Sequence, residues 1–351
     1  MASRVVLHLG SMKSGTSYVQ NVLGRNKELL AERGLLFPGP RWTAQVAAVR
    51  EVADAGGPDQ QPVAPDGPWR RLVEEIDAWD GTAVVSMEFL APRSLAKIEQ
   101  IRADFPDTPV EAVLTARDLG RNVPAMWLES MQTGGITPWR EFVDVVRHRR
   151  LEHRAARYFW KHQDTPEIAD RWAGALGAEN LTIVTVPRPG APSDLLWGRF
   201  GEALRADVDG CDLDVRSNPG IGLASALVLL RMNQAYHREH GSMPSHYDEF
   251  VKHKLAKRRL AAHAAEEPRL GFEAGWATSA AKRQIKQLRD AGHRVVGDLD
   301  ELRAAPVPGV HADKVPPEQV LDAAVFALDG AVEAWADAER QLRRSRRRSG
   351  R

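Results

Sequence analysis

"LHLGSMKSGTSYVQNVL", residues 7–23, joins three local patterns in one short stretch. An apolar run, Val5, Val6, Leu7 and Leu9, meets a loop of small residues. The loop opens into a segment carrying Tyr18, Val19, Val22 and Leu23 at helical spacing. A strand, a glycine-bracketed loop and a helix, in that order, form an anion nest, because loop amides and a helix N-terminus converge on one point. Gly10 and Gly15 have the spacing of the loop G-x-x-x-x-G-K-[ST] that cradles nucleotide triphosphates. Here Thr16 and Ser17 follow the second glycine, and the lysine, Lys13, lies between the two. The cradle is kept, with Ser14, Thr16 and Ser17 adding hydroxyl donors. The lysine that reaches a γ-phosphate is missing. No strand candidate ends in the apolar run leading directly into Asp that would hold Mg²⁺ in such a site: "TAVVSMEFL" (82–90) carries Glu88, and "LTIVTVP" (181–187) ends in proline. These features argue against ordinary ATP or GTP chemistry and imply no metal.

Outward from the loop, short apolar runs alternate with helical patterns. Strand candidates are Arg4–Leu9, 82–90, "VEAVLTARD" (110–118) and 181–187. Helical patterns cover 17–32 (stopped by Gly34), 45–53, 69–79, 95–105, 119–132 and 166–176. This alternation predicts an α/β fold: a three-layer parallel sheet with helices on both faces and a P-loop-like phosphate loop. Such sheets bind ligands at the C-terminal ends of their strands. "LLFPGPRW" (35–42) and "AGGPDQQPVAPDGP" (55–68) read as loops. Past about residue 195 the pattern is helical, with strong signals at 224–237, 277–294 and 321–345 and a short apolar run at 294–302. The expected organisation is an α/β core over 1–230, a helical C-terminal extension over 231–339, and a basic tail over 340–351.

The totals limit the function classes. With 43% hydrophobic and 27% charged residues, the 351-residue chain has ordinary globular composition. Its one cysteine, Cys211, excludes a disulfide framework and a cysteine-rich metal site, and fits a reducing compartment. The N-terminal apolar run is too short for a secretory segment, and nothing approaches a membrane span, so a cytoplasmic location is expected. The net charge is +1, yet the last twelve residues hold seven arginines and no acid; subtracting them leaves −6. That tail reads as a solvated terminus, and no nucleic-acid partner is expected.

"KSGTS" (13–17), set after a strand and before "YVQNVLGRN", resembles the 5′-phosphosulfate loop of sulfotransferases that use 3′-phosphoadenosine 5′-phosphosulfate (PAPS). "VLTARDLGRNVPAMW" (113–127) resembles that family's 3′-phosphate segment, a strand ending in arginine, and Arg117 takes the arginine's place. The family's serine eight residues later is absent, since position 125 is alanine. Positions 117, 121 and 125 are four apart, so one helical stripe would set Arg121 beside that phosphate. The resemblance implies that Lys13, Ser14, Gly15, Thr16, Ser17 and Arg117 hold PAPS, with PAP as the product; the spacing adds Arg121 to that set. It implies that Lys13 stabilises the departing nucleotide. Relatives commonly place a His or Glu base near the end of the strand preceding the 3′-phosphate strand, which here points to Glu88.

Structural alternatives stay open. Glu88 also suits a helix cap or an ion pair, and Arg117 suits a pair with Asp118. His8, inside the first strand, reads as a core residue. Gln45 and Trp42 stand where an acceptor contact is possible. "RSNPGIG" (216–222), with Arg216, Gly220 and Gly222, lies where the family has a later nucleotide-side loop, and reads more readily as a plain turn. "FWKHQD" (159–164) resembles a segment of bacterial members, with no role derivable from its residues and His162 read as structural. The implied reaction moves a sulfuryl group from PAPS to a hydroxyl or amine of a small-molecule, glycan or natural-product acceptor. The alternatives are a Mg-dependent P-loop small-molecule kinase and a non-catalytic nucleotide-binding protein. The sequence leaves acceptor identity and oligomeric state open.

Overall fold

A computed structural model describes residues 2–54, 63–215 and 220–349. Most of the 55–68 loop, and Arg216 with the three residues after it, therefore lie outside the described residues. The chain forms two compact units. The first comprises Met1–Asn122, Tyr158–Ser217 and Trp276–Ala304; the second comprises Val123–Arg157, Asn218–Gly275 and Ala305–Arg351.

The first unit is built on one sheet of six parallel strands, in the order β2-β3-β1-β4-β5-β6. The strands are β1 (Arg4–His8), β2 (Leu35–Leu36), β3 (Thr82–Ser86), β4 (Val110–Ala116), β5 (Leu181–Thr185) and β6 (Arg294–Val296). Every core strand is apolar on both sides because both faces are covered by helices. Alternate side chains divide between two cores. Val5, Leu7, Ala83, Val85, Ala112, Leu114 and Ile183 face one helical layer, with buried Trp69 and Trp172. Val6, Val84, Val113, Val184 and Val296 face the other, against Val19, Val22 and Leu23 of the loop helix (Thr16–Arg25) and Trp197 and Phe200 of the helix Leu195–Leu204.

Three local readings differ from the structure. The helix expected over 17–32 is broken at Asn26, giving Thr16–Arg25 and Lys27–Glu32. The Asn26 side chain exchanges hydrogen bonds with the backbone of Asp212, and its amide also donates to the Val22 carbonyl at 2.9 Å. This distant anchor competes with helix continuation. The expected loop at 35–42 starts with β2, whose two leucines pair with Thr82 and Ala83 at the sheet edge. The short run at 294 becomes β6, the opposite edge, paired with Thr182–Val184.

The second unit is helical. Trp127, Trp139 and Phe272 stack edge to face. Asn233 donates to the carbonyls of Met131 and Gly135, and the Tyr247 hydroxyl bonds its side-chain oxygen. The terminal helix Pro317–Ser349 packs against the helix Leu223–His240 and the wide-turned segment Asp248–Leu260. Among the described residues, no helix is long and apolar enough to cross a membrane.

Candidate active site

β1 ends at His8, and the next seven residues form the candidate phosphate loop, whose curvature comes from three left-handed residues. Gly10 has φ 49, Lys13 φ 65 and Gly15 φ 83. At Gly10 a side chain would collide with Thr16 Oγ1, so glycine is required there. Gly15 is the N-cap of the loop helix, which has no side-chain cap. The amides of Tyr18 and Val19 donate to the Gly15 carbonyl at 3.0 and 3.2 Å, which leaves the Thr16 and Ser17 amides ahead of them for solvent or a ligand. Lys13 carries a Cβ in a conformation that non-glycine residues rarely adopt.

Side chains hold this shape from below. Ser14 is fully buried; its hydroxyl bonds the Ser11 carbonyl at 2.6 Å and Thr115 Oγ1 at 2.8 Å. It therefore serves the loop's shape. His8 lies beneath, with Nδ1 2.7 Å from Ser86 Oγ and Nε2 3.2 Å from Thr115 Oγ1. Burial pushes its pKa down to about 3, so it is a neutral strut. Thr16 is buried, and its Oγ1 has no hydrogen-bond partner among the described residues. Ser17 is exposed in the first helical turn.

Arg117 follows the end of β4 and precedes the helix Leu119–Gln132. It is therefore off the helical stripe that the 117–121–125 spacing assumes. Its guanidinium donates to the Lys13 carbonyl at 3.0 Å, which ties the β4 end to the strained residue. Burial, and then neighbouring Arg121, pull its pKa down to about 10, with Asp118 opposing. Its Nε has no hydrogen-bond partner among the described residues. Asp118 receives the Arg121 backbone N–H at 2.9 Å and the Arg121 Nε. Arg121 also donates to the carbonyls of Pro187 and Val186. Its guanidinium is thus engaged between the ends of β4 and β5.

Glu88 lies just past the end of β3, beside β1, since the amide of Met87 donates to the His8 carbonyl at 3.0 Å. Gln20 of the loop helix reaches it, donating to Glu88 Oε2 at 3.3 Å and to the Ser86 carbonyl at 3.1 Å. The same helix that opens from the phosphate loop therefore sets the carboxylate. Gln45 is fully buried, accepting from Ser86 N and donating to the Pro38 carbonyl. That pairing makes it a brace for β3 and leaves it no exposed face toward an acceptor. Trp42, at the start of the helix Trp42–Asp54, is 38% exposed.

The "FWKHQD" segment supplies contacts that no local pattern foretells. Gln163 donates to the Met12 carbonyl at 2.8 Å and accepts from Asn122 at 2.6 Å, while Asn122 also donates to the Arg117 carbonyl. Tyr158 donates to the Met12 sulfur at 3.3 Å. A buried chain of amides thus encircles the loop from Met12 to Arg117. His162 is buried, bonded to the Tyr158 carbonyl, and pushed down to about 4, chiefly by burial. The residues in contact are separated by 151 positions in one case and 41 in another, and spacing alone carries no signal for them.

No family model matches the sequence, and no curated protein matches it. Among solved structures, the chain is similar to the crystal structure of a sulfotransferase from Alicyclobacillus acidocaldarius. The identity is 14% and the TM-score 0.41, over 70% of this chain and 99% of that one.

Proposed function

We propose that the chain transfers a sulfuryl group from PAPS to a hydroxyl or amine of a small-molecule, glycan or natural-product acceptor, by in-line displacement. The observation that carries this reading is the backbone at Lys13, held at φ 65 between two glycines with its carbonyl gripped by Arg117. A left-handed non-glycine residue costs roughly 1–2 kcal/mol. A lysine kept there at that cost suits a cation needed in the middle of a phosphate loop.

Two buried donors fit an oxyanion. Thr16 Oγ1 and Arg117 Nε both border the loop without a hydrogen-bond partner among the described residues, and an anion's oxygens would supply the acceptors. After burial, the neighbouring Arg121 charge lowers the Arg117 pKa. A bound anion relieves that repulsion.

PAPS supplies the activated sulfuryl group. The amides of Lys13, Ser14, Gly15, Thr16 and Ser17 and the Thr16 hydroxyl hold its 5′ side. Arg117 holds the 3′-phosphate, and Arg121 braces the β4 end beside it. Glu88 takes the proton of the acceptor group as its oxygen or nitrogen bonds to sulfur and the sulfur's bond to the nucleotide breaks. Lys13 offsets the negative charge that remains on PAP.

Calorimetry tests the reading. PAP should bind with micromolar affinity, and ATP with Mg²⁺ should bind far more weakly. Micromolar ATP binding without PAP binding would favour the kinase reading. PAP binding without turnover of PAPS across a panel of hydroxylated acceptors would favour a non-catalytic nucleotide-binding protein.

A further inference from the structure

The first unit carries a second concentration of positive charge, outside the phosphate loop. A cleft of about 530 Å³ is lined by Arg93, Lys97, Lys161 and Arg171, with Ser94 and the acid Glu167 at its wall. Its volume is in the range of small-ligand sites. Three elements bring the cations together: the turn after β3 with the helix Leu95–Ala103, the end of the helix Arg154–Gln163, and the helix Thr165–Leu176. Four of the lining residues are cations and one, Glu167, is an acid, paired with Arg171 at 2.7 Å; Arg93 also donates to the Ala53 carbonyl and Lys97 to Gln100. The helix Leu95–Ala103 also begins here, capped by Ser94, and adds its positive end.

Gathering like charges disfavours their charged forms. At Lys161 burial lowers the pKa most, and the neighbouring Arg93 and then Arg171 lower it further. The cleft also adjoins the candidate active site along the chain. Pro92 lines it four residues after Glu88, a reach of at most about 14 Å. Lys161 precedes by two residues the Gln163 that holds the Met12 carbonyl.

We propose that this cleft is an oxyanion subsite for the acceptor: the acceptor carries a sulfate, phosphate or carboxylate group that docks here while its nucleophile meets Glu88. The proposal rests on the sulfuryl-transfer reading for the word acceptor, and its test does not. Acetic anhydride labelling of the full chain, read by peptide mass spectrometry, follows Lys161 directly. Inorganic sulfate or acetate should slow Lys161 acetylation at least about threefold, because a bound oxyanion favours the ammonium. Exposed Lys282 should not respond, and chloride at matched ionic strength should protect neither lysine. Arg171→Gln should abolish the effect. Stronger protection by sulfate than by acetate assigns a tetrahedral anion, and the reverse a carboxylate. Equal protection by chloride, or none, overturns the subsite. PAP binding measured on the same samples keeps the two readings apart: protection without PAP binding sinks sulfuryl transfer and spares the cleft.

The terminal helix carries a second inference independently. One face, with Val320, Ala323, Ala327 and Ala334, is buried. A different face bears Leu321, Val325, Leu328, Val332, Trp335 and Leu342, each between 52% and 67% exposed. Their spacing alternates four and three, the 3.5-residue period of a coiled-coil seam, interrupted at Glu339. The helix is also split in charge. Residues 317–339 hold six acids and no base, and residues 340–349 hold six arginines and no acid. A parallel pair would set the arginine-rich ends side by side. An antiparallel pair sets each against the partner's acidic half, and a two-fold axis lets one face serve both copies.

We infer that a second copy of this chain covers this face in an antiparallel helix pair. Sedimentation equilibrium should give twice the 38.8 kDa chain mass. Leu328→Glu and Trp335→Glu, both at exposed positions, should give the single-chain mass with unchanged helical circular dichroism. Deleting residues 343–351 should weaken the dimer at low salt at least about tenfold. A monomer at every concentration, or a dimer indifferent to both substitutions, overturns the inference. A dimer tightened by the deletion overturns the antiparallel arrangement.

Discussion

The phosphate loop and the basic cleft are both cationic, and they are built in opposite ways. In the loop, backbone curvature does the work, and the side chains beneath it are bonded inward: Ser14 to Thr115, Gln163 to Met12, Arg117 to Lys13. In the cleft, side chains do most of the work beside one helix N-terminus: four cations from separate helices and a turn converge with one acid among them. The loop is one contiguous stretch, and under the proposed sulfuryl transfer it would hold the phosphate that every turnover shares. The cleft is assembled from distant parts, and under the same proposal it would select one acceptor from others. Damage to the loop or its base should therefore strike kcat, and damage to the cleft should strike KM.

The sharpest break comes at Glu88. Glu88→Gln should lower kcat by about 10²- to 10⁴-fold, the usual contribution of a positioned proton acceptor. PAP affinity, measured by calorimetry, should hold nearly constant. An active glutamine variant would move the base elsewhere. Next is Lys13→Gly, which removes both the ammonium and the strain. Turnover of PAPS should fall about 10²-fold, while the unfolding free energy from urea melts should rise by up to about 1 kcal/mol, strain relief less glycine's extra entropy. A glycine variant that is less stable would mean that φ 65 is not a cost at this position.

Two buried histidines place the comparison on a pH axis. His8 lies under the loop and His162 beside Lys161 of the cleft, with pKa values near 3 and 4. Both lie below the free value of 6.5. Between those limits the unfolded chain binds more protons, so stability is full above pH 6.5 and declines as pH falls. At pH 5 each histidine should have removed about 2 kcal/mol relative to neutral pH. Urea melts at pH 7 and pH 5 should show His162→Gln losing about half of the acid sensitivity. A variant as acid-sensitive as the wild type would contradict a neutral, buried His162.

The smallest effect separates tether from cleft. Gln163→Leu leaves the Met12 carbonyl and Asn122 without their partner. It should weaken PAP binding about tenfold by releasing the loop backbone at Met12, and should separately cost about 1–3 kcal/mol of stability for the unmet buried polar groups. It should leave Lys161 protection by sulfate intact. Loss of both together would join the two regions into one site.

The loop was legible in the sequence because everything that shapes it locally lies within residues 7–23. Glycines bracket it, a strand feeds it and a helix leaves it. The same holds for β1, β3, β4 and β5, whose apolar runs are covered on both faces. What was illegible depends on partners far along the chain. Asn26 breaks a helix because Asp212 holds it. β2 and β6 are two and three residues long and exist as strands through their neighbours. Arg121 sits at a helical spacing that suggests a phosphate contact, yet Asp118 and two carbonyls engage it. Gln163 has no local signature at all, and its role follows from where the helix Arg154–Gln163 ends.

A crystal structure with PAP bound tests the central claim most directly. The account predicts the 5′-phosphate seated on the amides of residues 13–17 with the Lys13 ammonium beside it, and the 3′-phosphate on Arg117. PAP bound elsewhere, with Lys13 turned to solvent, would contradict it.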